Sequence, residues 1–480
     1  MRRARTIVAA GTAALAVVAG PVAVAAPTRG TTAPGPPSAV VASTSYTPGA
    51  AGRGDPYFPL AGNGGYDAQH YDLRLAYDPA SRVLSGSTVM AAHATQNLSR
   101  FDLDLTGLTV RSVTVDGRTA RFRRSGQELV VTPPSGVRSG CSFSVTVRYD
   151  GVPKALIDTD GSSEGFIRTR DGAFVVGEPV GSMSWFPSDN TPSDKATYDL
   201  RMTVPTGISV WGNGILRSST TRGAHTTYWW HQQQRISTYL VTATLGRFDR
   251  RTGRTAGGLP VYLAVDPAVK GPAWTNVQRT AEITDWLATT FGRYPFSATG
   301  GVVDAASSVG YALETATKPV YDRAPDLPTV VHELAHQWFG DSVTPRIFKD
   351  IWLNEGFATY VEWLWAERHG GRSAAAELSR QLALYPASDP FWTIPPANPG
   401  SAEQLFTPPV YERGAMALEV LRQRIGDRAF FRLLRTWARD HRYGVVSTAD
   451  LLRAAERVSG RQLDRLFDVW LYQPRRPAGA

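Results

Sequence analysis

At 480 residues, with 42% hydrophobic composition, 13 Trp and 18 Tyr, the chain can bury two sizeable cores, which excludes a wholly disordered protein and confines disorder to its ends. The formal charge of +9 is scattered rather than gathered into a basic, aromatic-interleaved stripe, so nucleic acid is excluded as a partner. The single cysteine, Cys141, excludes an internal disulfide and, set beside Phe143, Val145 and Val147, reads as inert core.

Arg2, Arg3 and Arg5 precede an apolar run from Ile7 to Val24 that ends in the small residues Ala23-Val24-Ala25-Ala26. This is the pattern of an export signal over 1–26, with cleavage after Ala25 or Ala26, and Gly11, Gly20 and Pro21 interrupt the run in a way an uncleaved anchor would not favour. The expected protein is secreted and extracellular, without stable membrane insertion after cleavage. Residues 27–55, rich in Ala, Pro, Gly, Ser and Thr, bury too little apolar surface to offset ordering entropy and read as a flexible leader.

From 56 to 252 the apolar residues recur with period two, as at Leu73, Leu75 and Tyr77, at Leu103 and Leu105, and at Val113 and Val115, which predicts a β-rich domain of short strands. Arg, Thr and Gly dominate around Arg250 to Gly258 and mark a boundary, after which the period becomes helical. Ile283, Trp286, Leu287 and Phe291 share one helical face, and long helices are predicted near 328–339, 351–368, 412–425 and 428–440. The second domain, 253–475, is therefore mainly α, with a tail at 476–480.

The chemistry lies at its centre. Asp326-Leu327-Pro328 supplies a helix cap and a first-turn proline, so His332-Glu333-Leu334-Ala335-His336 falls inside a helix that ends at Gly340. Residues four apart share a helix face, so His332 and His336 can point at one metal while Glu333 reaches a water beside it. With 8 His in the chain, such a motif arises by chance on the order of 0.01 times. Two histidines leave a catalytic zinc one protein ligand short, and Glu355, 19 residues beyond His336 on the next helix, can complete the set and leave a fourth position open. A competing nucleophile-elbow pattern, Gly161-Ser162-Ser163-Glu164-Gly165, is followed by a strand and turn rather than a helix, and reads as a hairpin loop.

The strings VVHELAHQWFGDSVT, from Val330, and DIWLNEGFATYVE, from Asp350, resemble the M1 metallopeptidases, the gluzincin aminopeptidases that include aminopeptidase N and leukotriene A4 hydrolase. The resemblance implies a saddle-like N-terminal domain of antiparallel sheets, a thermolysin-like α catalytic domain, one zinc ion per chain and peptide substrates with a free N-terminus. It runs from about residue 60 to Leu466-Phe467-Asp468-Val469-Trp470-Leu471, implying a short form that lacks the C-terminal helical domain of longer members. Tyr311-Ala312-Leu313-Glu314-Thr315 stands where the family has GAMEN, making Glu314 the acid that grips the substrate amine, although Tyr311, Leu313 and Thr315 depart from the consensus and reshape the first pocket. Val410-Tyr411-Glu412-Arg413-Gly414 resembles the segment whose tyrosine stabilises the oxyanion, here Tyr411. Gly177-Glu178-Pro179 resembles the first-domain segment with a second amine-binding acid, Glu178. The zinc site alone leaves open an endopeptidase, an epoxide hydrolase or an idle binding protein.

Overall fold

The computed structural model describes residues 45–478; the expected signal segment and the leader up to residue 44 lie outside the described residues. The period-two pattern builds the first domain as predicted. Its largest sheet has eight strands in the order Ile215–Arg222, His225–Ser237, Lys195–Pro205, Tyr66–Asp78, Val83–Ala94, Ser142–Gly151, Thr109–Val115 and Arg118–Thr119. Phe143, Val145, Val147 and Tyr149 alternate inward along one strand, with Phe143 opposite Ala92 and Val145 opposite Met90. The sheet is not purely antiparallel, because Lys195–Pro205 runs parallel to Tyr66–Asp78. A four-stranded and a five-stranded sheet complete the domain, the latter carrying Ser163–Arg168 and Ala173–Val176 as a hairpin. Gly161 and Ser162 lie in the turn entering that hairpin, whereas Ser163, Glu164 and Gly165, expected in the loop with them, belong to its first strand.

Four sequence readings need correction. Residues 45–55 are not loose leader: Thr47–Pro48 pair with Leu98–Asp104, Arg53 bridges Asp189 and Asp194 at 3.0 and 2.9 Å, and Asp55 accepts the Phe348 amide at 2.7 Å. Buried charge pairing across more than a hundred residues leaves no compositional trace. The boundary expected between 252 and 253 falls inside the strand Asp249–Arg254, which pairs with Pro260–Val265 and so belongs to the second domain. Cys141 is half-buried, not core, because it precedes the strand Ser142–Gly151 and never joins its inward face. Arg476, counted with the tail, donates to the Tyr385 carbonyl at 3.2 Å.

The second domain opens with a five-stranded sheet, ordered Asp249–Arg254, Pro260–Val265, Thr299–Val303, Val320–Tyr321 and Ala312–Leu313, and continues as helices. Helices Thr280–Phe291, Leu327–Ala335, Trp352–Arg368, Gly414–Ile425 and Asp427–Asp440 lie close to the predicted segments. Two of them touch through glycine: a Cβ on Gly356 would meet the Gly414 Cα at 2.9 Å, so only glycine lets the Glu355-bearing helix approach its neighbour this closely. Across the domains, the buried Lys195 ammonium donates to the Asp341 and Ser342 carbonyls at 3.1 and 3.0 Å. Among the described residues no helix is long and apolar enough to cross a membrane.

Candidate active site

The helix carrying the two histidines starts as its sequence dictates. The Asp326 carboxylate accepts the Thr329 amide at 2.8 Å and Pro328 occupies the first turn. Regular helix spans Leu327–Ala335, shorter than expected, and His336 is its C-cap, still in helical geometry. The imidazoles of His332 and His336 stand 4.7 Å apart by ring centroid. Glu355, one turn into the helix Trp352–Arg368, places Oε2 3.1 Å from His332 Nε2 and 3.5 Å from His336 Nε2.

The far ring nitrogens are also held. His332 Nδ1 lies 2.7 Å from Glu362 Oε1, and His336 Nδ1 lies 3.1 Å from the Phe339 carbonyl. Each contact fixes Nδ1 as the proton-bearing nitrogen and turns Nε2 toward Glu355, the arrangement that orients imidazole ligands in catalytic metal sites. Ligand atoms of His332, His336 and Glu355 all lie within 4.8 Å of one another. Two imidazoles and one carboxylate match the donor set of catalytic zinc, so the residues fit the metal. Burial opposes ionisation of Glu355, but the two histidines outweigh it and hold its pKa at about 2. Burial likewise depresses His336, yet Glu314 and Glu355 lift it to about 9. Glu355 is thus held ionised by positive charge on the imidazoles, a charge that a bound dication would supply in place of their protons.

The other expected residues converge on the same place. A cavity of about 420 Å³ is lined by the triad together with Glu333, Glu314, Glu178 and Tyr411. Glu333 is buried, and burial drives its pKa up to about 8 despite the nearby histidines. Tyr411 lies in a π-helical turn, Pro409–Arg413, and the helix expected near 412–425 begins at Gly414. Its ring stacks on His332 at 6.0 Å between centroids, and burial raises its hydroxyl well above the usual range, so it is a proton donor at neutral pH.

Glu178 and Glu314 face each other from different domains. A carboxylate oxygen from each lies within 4.8 Å of one from Glu355. Glu178 Oε1 and Glu314 Oε1 are buried without a hydrogen-bond partner among the described residues. Burial, reinforced for Glu178 by Glu314 and Glu355, raises both carboxyls above their ordinary range. Unpaired buried carboxylates are costly, and two of them in one cavity call for a cationic group. The segment that follows Glu178 is held by edge-to-face aromatics, with Trp185 against Phe186 at 4.6 Å and Phe186 against Tyr71 at 5.8 Å, each pair worth about 0.5–1.5 kcal/mol beyond area burial. Tyr311 donates to the Ser163 carbonyl at 2.9 Å and so closes one wall of the cavity between the domains.

Glu362 and Gln337 were not singled out from the sequence. Glu362 had a signal, since it lies seven residues past Glu355, two turns along the same helix face. Gln337 acts on backbone groups, a role with no spacing rule.

A β-rich domain joined to a helical domain around a buried His-His-Glu triad defines a two-domain metallopeptidase architecture. Family models agree: the Peptidase M1 N-terminal domain matches residues 67–240 and the Peptidase family M1 domain matches 312–470. The chain belongs to peptidase family M1. It is similar to the M1 zinc metallopeptidase of Deinococcus radiodurans, at 31% identity and a TM-score of 0.81, covering 89% of this chain and 99% of that one. A mutant of that enzyme bound to a Tyr-Ser-Ala substrate superposes equally, with a TM-score of 0.81. Among curated relatives, Aminopeptidase M1-B of Oryza sativa subsp. japonica is 28% identical over 451 residues, 84% of this chain and 49% of its own length. Aminopeptidase N of Lactococcus lactis is 24% identical over 443 residues, 85% of this chain and 51% of its own. The chain spans about half the length of the curated relatives it matches.

Proposed function

We propose that the chain is a secreted zinc-dependent aminopeptidase that hydrolyses the N-terminal bond of peptides bearing a free amine. The observation that carries this reading is the pair of buried, unpartnered carboxylate oxygens of Glu178 and Glu314 in the cavity that also holds the His332, His336 and Glu355 triad. Two carboxylates gripping an ammonium at a fixed distance from the reacting carbonyl admit a single residue beyond the scissile bond. One zinc ion held by His332, His336 and Glu355 would supply Lewis-acid polarisation and a lowered pKa for water.

The residues do the rest. Glu333 accepts a proton from the attacking water and returns it to the leaving amine. Tyr411 donates its hydroxyl proton in a hydrogen bond to the carbonyl oxygen as charge develops there. Glu314 and Glu178 hold the ammonium throughout, so binding energy is spent on orientation. An endopeptidase on the same scaffold has no use for two unpartnered acids beside the metal triad, and an idle binding protein has no use for Glu333 and Tyr411.

The test is release of a fluorophore from unblocked and N-acetylated aminoacyl amides, by wild type and Glu333→Gln, with and without a zinc chelator. Chelator-sensitive turnover of unblocked substrates alone, lost in the variant, is the expected result. Turnover of acetylated substrates contradicts the roles of Glu314 and Glu178, and chelator-resistant turnover contradicts the metal chemistry. N-terminal sequencing of protein recovered from the culture medium tests secretion, with Ala26 or Pro27 expected first.

A further inference from the structure

We infer that Gln337 is a positioning residue that sets the separation between the metal triad and the amine-gripping carboxylate of Glu314; the inference rests on the aminopeptidase reading and deepens it. Gln337 directly follows His336 and is fully buried. Its side-chain amide points not along its own helix but at the segment that carries Glu314. Gln337 Nε2 donates to the Glu314 carbonyl at 3.2 Å, and its Oε1 accepts the Thr317 amide at 2.7 Å and the Tyr294 hydroxyl at 3.3 Å. The amide orientation is fixed by chemistry: a carbonyl faces Nε2 and two donors face Oε1.

One side chain therefore satisfies a backbone acceptor and a backbone donor three residues apart, on either side of a sharp turn. Thr317 adopts φ of 71°, a left-handed conformation unusual for a β-branched residue, and it stays there because its amide and hydroxyl are both engaged. The opposite side of the same segment is held by the β-rich domain. Asn213 Nδ2 donates to the Ala316 carbonyl at 2.8 Å, and the Gly214 amide donates to Thr317 Oγ1 at 2.7 Å. The segment is clamped between the motif helix and the first domain, and Gln337 is the clamp on the motif-helix side.

This has a consequence for chemistry. Gln337 bonds the Glu314 segment through its backbone and not through the Glu314 carboxylate, whose Oε1 stays unpartnered in the cavity. The offset between His336 and the Glu314 segment is then set by one covalent step along the chain plus two hydrogen bonds. Misplacement of about 1 Å in such a constellation costs on the order of a hundredfold in rate. Loss of the Gln337 amide would release Glu314 while leaving His332, His336 and Glu355 in place.

The test compares inhibition by leucine hydroxamate and by its desamino analogue, which share the metal-binding group and differ only in the amine. Wild type should prefer the amino compound strongly. Gln337→Met, close in volume but without hydrogen-bonding atoms, should lose about tenfold or more of that preference, with zinc content and Ki for the desamino analogue unchanged. Gln337→Glu, which keeps the acceptor for the Thr317 amide, should fall between them and serves alone if the Met variant does not fold. A variant that binds zinc and keeps the full preference overturns the inference, as does one whose two Ki values rise together. A wild type showing no preference overturns the aminopeptidase reading and the inference with it.

Discussion

The proposed metal end and amine end of the cavity are built in different ways. The triad comes from one helix and its successor, with His332 and His336 four residues apart and the Nδ1 atoms locked by Glu362 and Phe339 within the same domain. The amine end is assembled from Glu178 in the β-rich domain and Glu314 beside the second-domain sheet, and is clamped by Gln337 and Asn213 from opposite sides. A local device can bind metal as soon as two helices pack; a device spanning both domains exists only when the whole molecule is folded. Metal binding and substrate grip should therefore be separable by mutation.

The largest effect expected is at Glu333. Glu333→Gln should lower kcat about a thousandfold or more while zinc content by atomic emission stays at one per chain, since in the proposed mechanism the residue moves protons and does not hold metal. Tyr411→Phe should lower kcat by about a hundredfold with KM nearly unchanged, the mark of a contact made only as charge develops. Both results break the comparison if metal is lost with activity.

Glu362→Gln sharpens it from the metal side. Weakening the hold on His332 should raise the zinc Kd about 10–100-fold, measured by competition with a chromophoric chelator, and excess zinc should restore turnover. The preference for unblocked substrates should not move. The smallest effect concerns the amine end. Glu164 accepts the Val180 amide at 3.0 Å beneath the segment bearing Glu178, and burial raises its pKa to about 8 against an ordinary value of 4.5. The folded state keeps this proton between those values while the unfolded chain releases it, so the stability it contributes is full below 4.5 and lost as pH rises through 8. Glu164→Gln should melt near wild type at pH of about 5 and several degrees above it at about 8, by calorimetry.

Local pattern explains what could be read from the sequence. The histidine spacing, the Asp326 cap and the alternation of Phe143, Val145, Val147 and Tyr149 are periodicities of a single element, and the structure places each as expected. Glu314, Glu178 and Tyr411 came from resemblance rather than pattern, and all three line the cavity. The order in residues 45–55 was illegible because Arg53 and Asp55 find partners at Asp189, Asp194 and Phe348, far along the chain. Gln337 was illegible for a related reason: a side-chain amide bonding a distant backbone leaves no periodic trace. The strand Asp249–Arg254 was misassigned because its Arg, Thr and Gly read as linker, while its exposed edge position needs no apolar face.

The most direct test of the account is mass spectrometry of a decapeptide digest, run on the free peptide and its N-acetylated form. The account predicts stepwise loss of single residues from the N-terminus of the free peptide and an intact acetylated peptide. Internal fragments, or shortening of the acetylated form at the same rate, would contradict it.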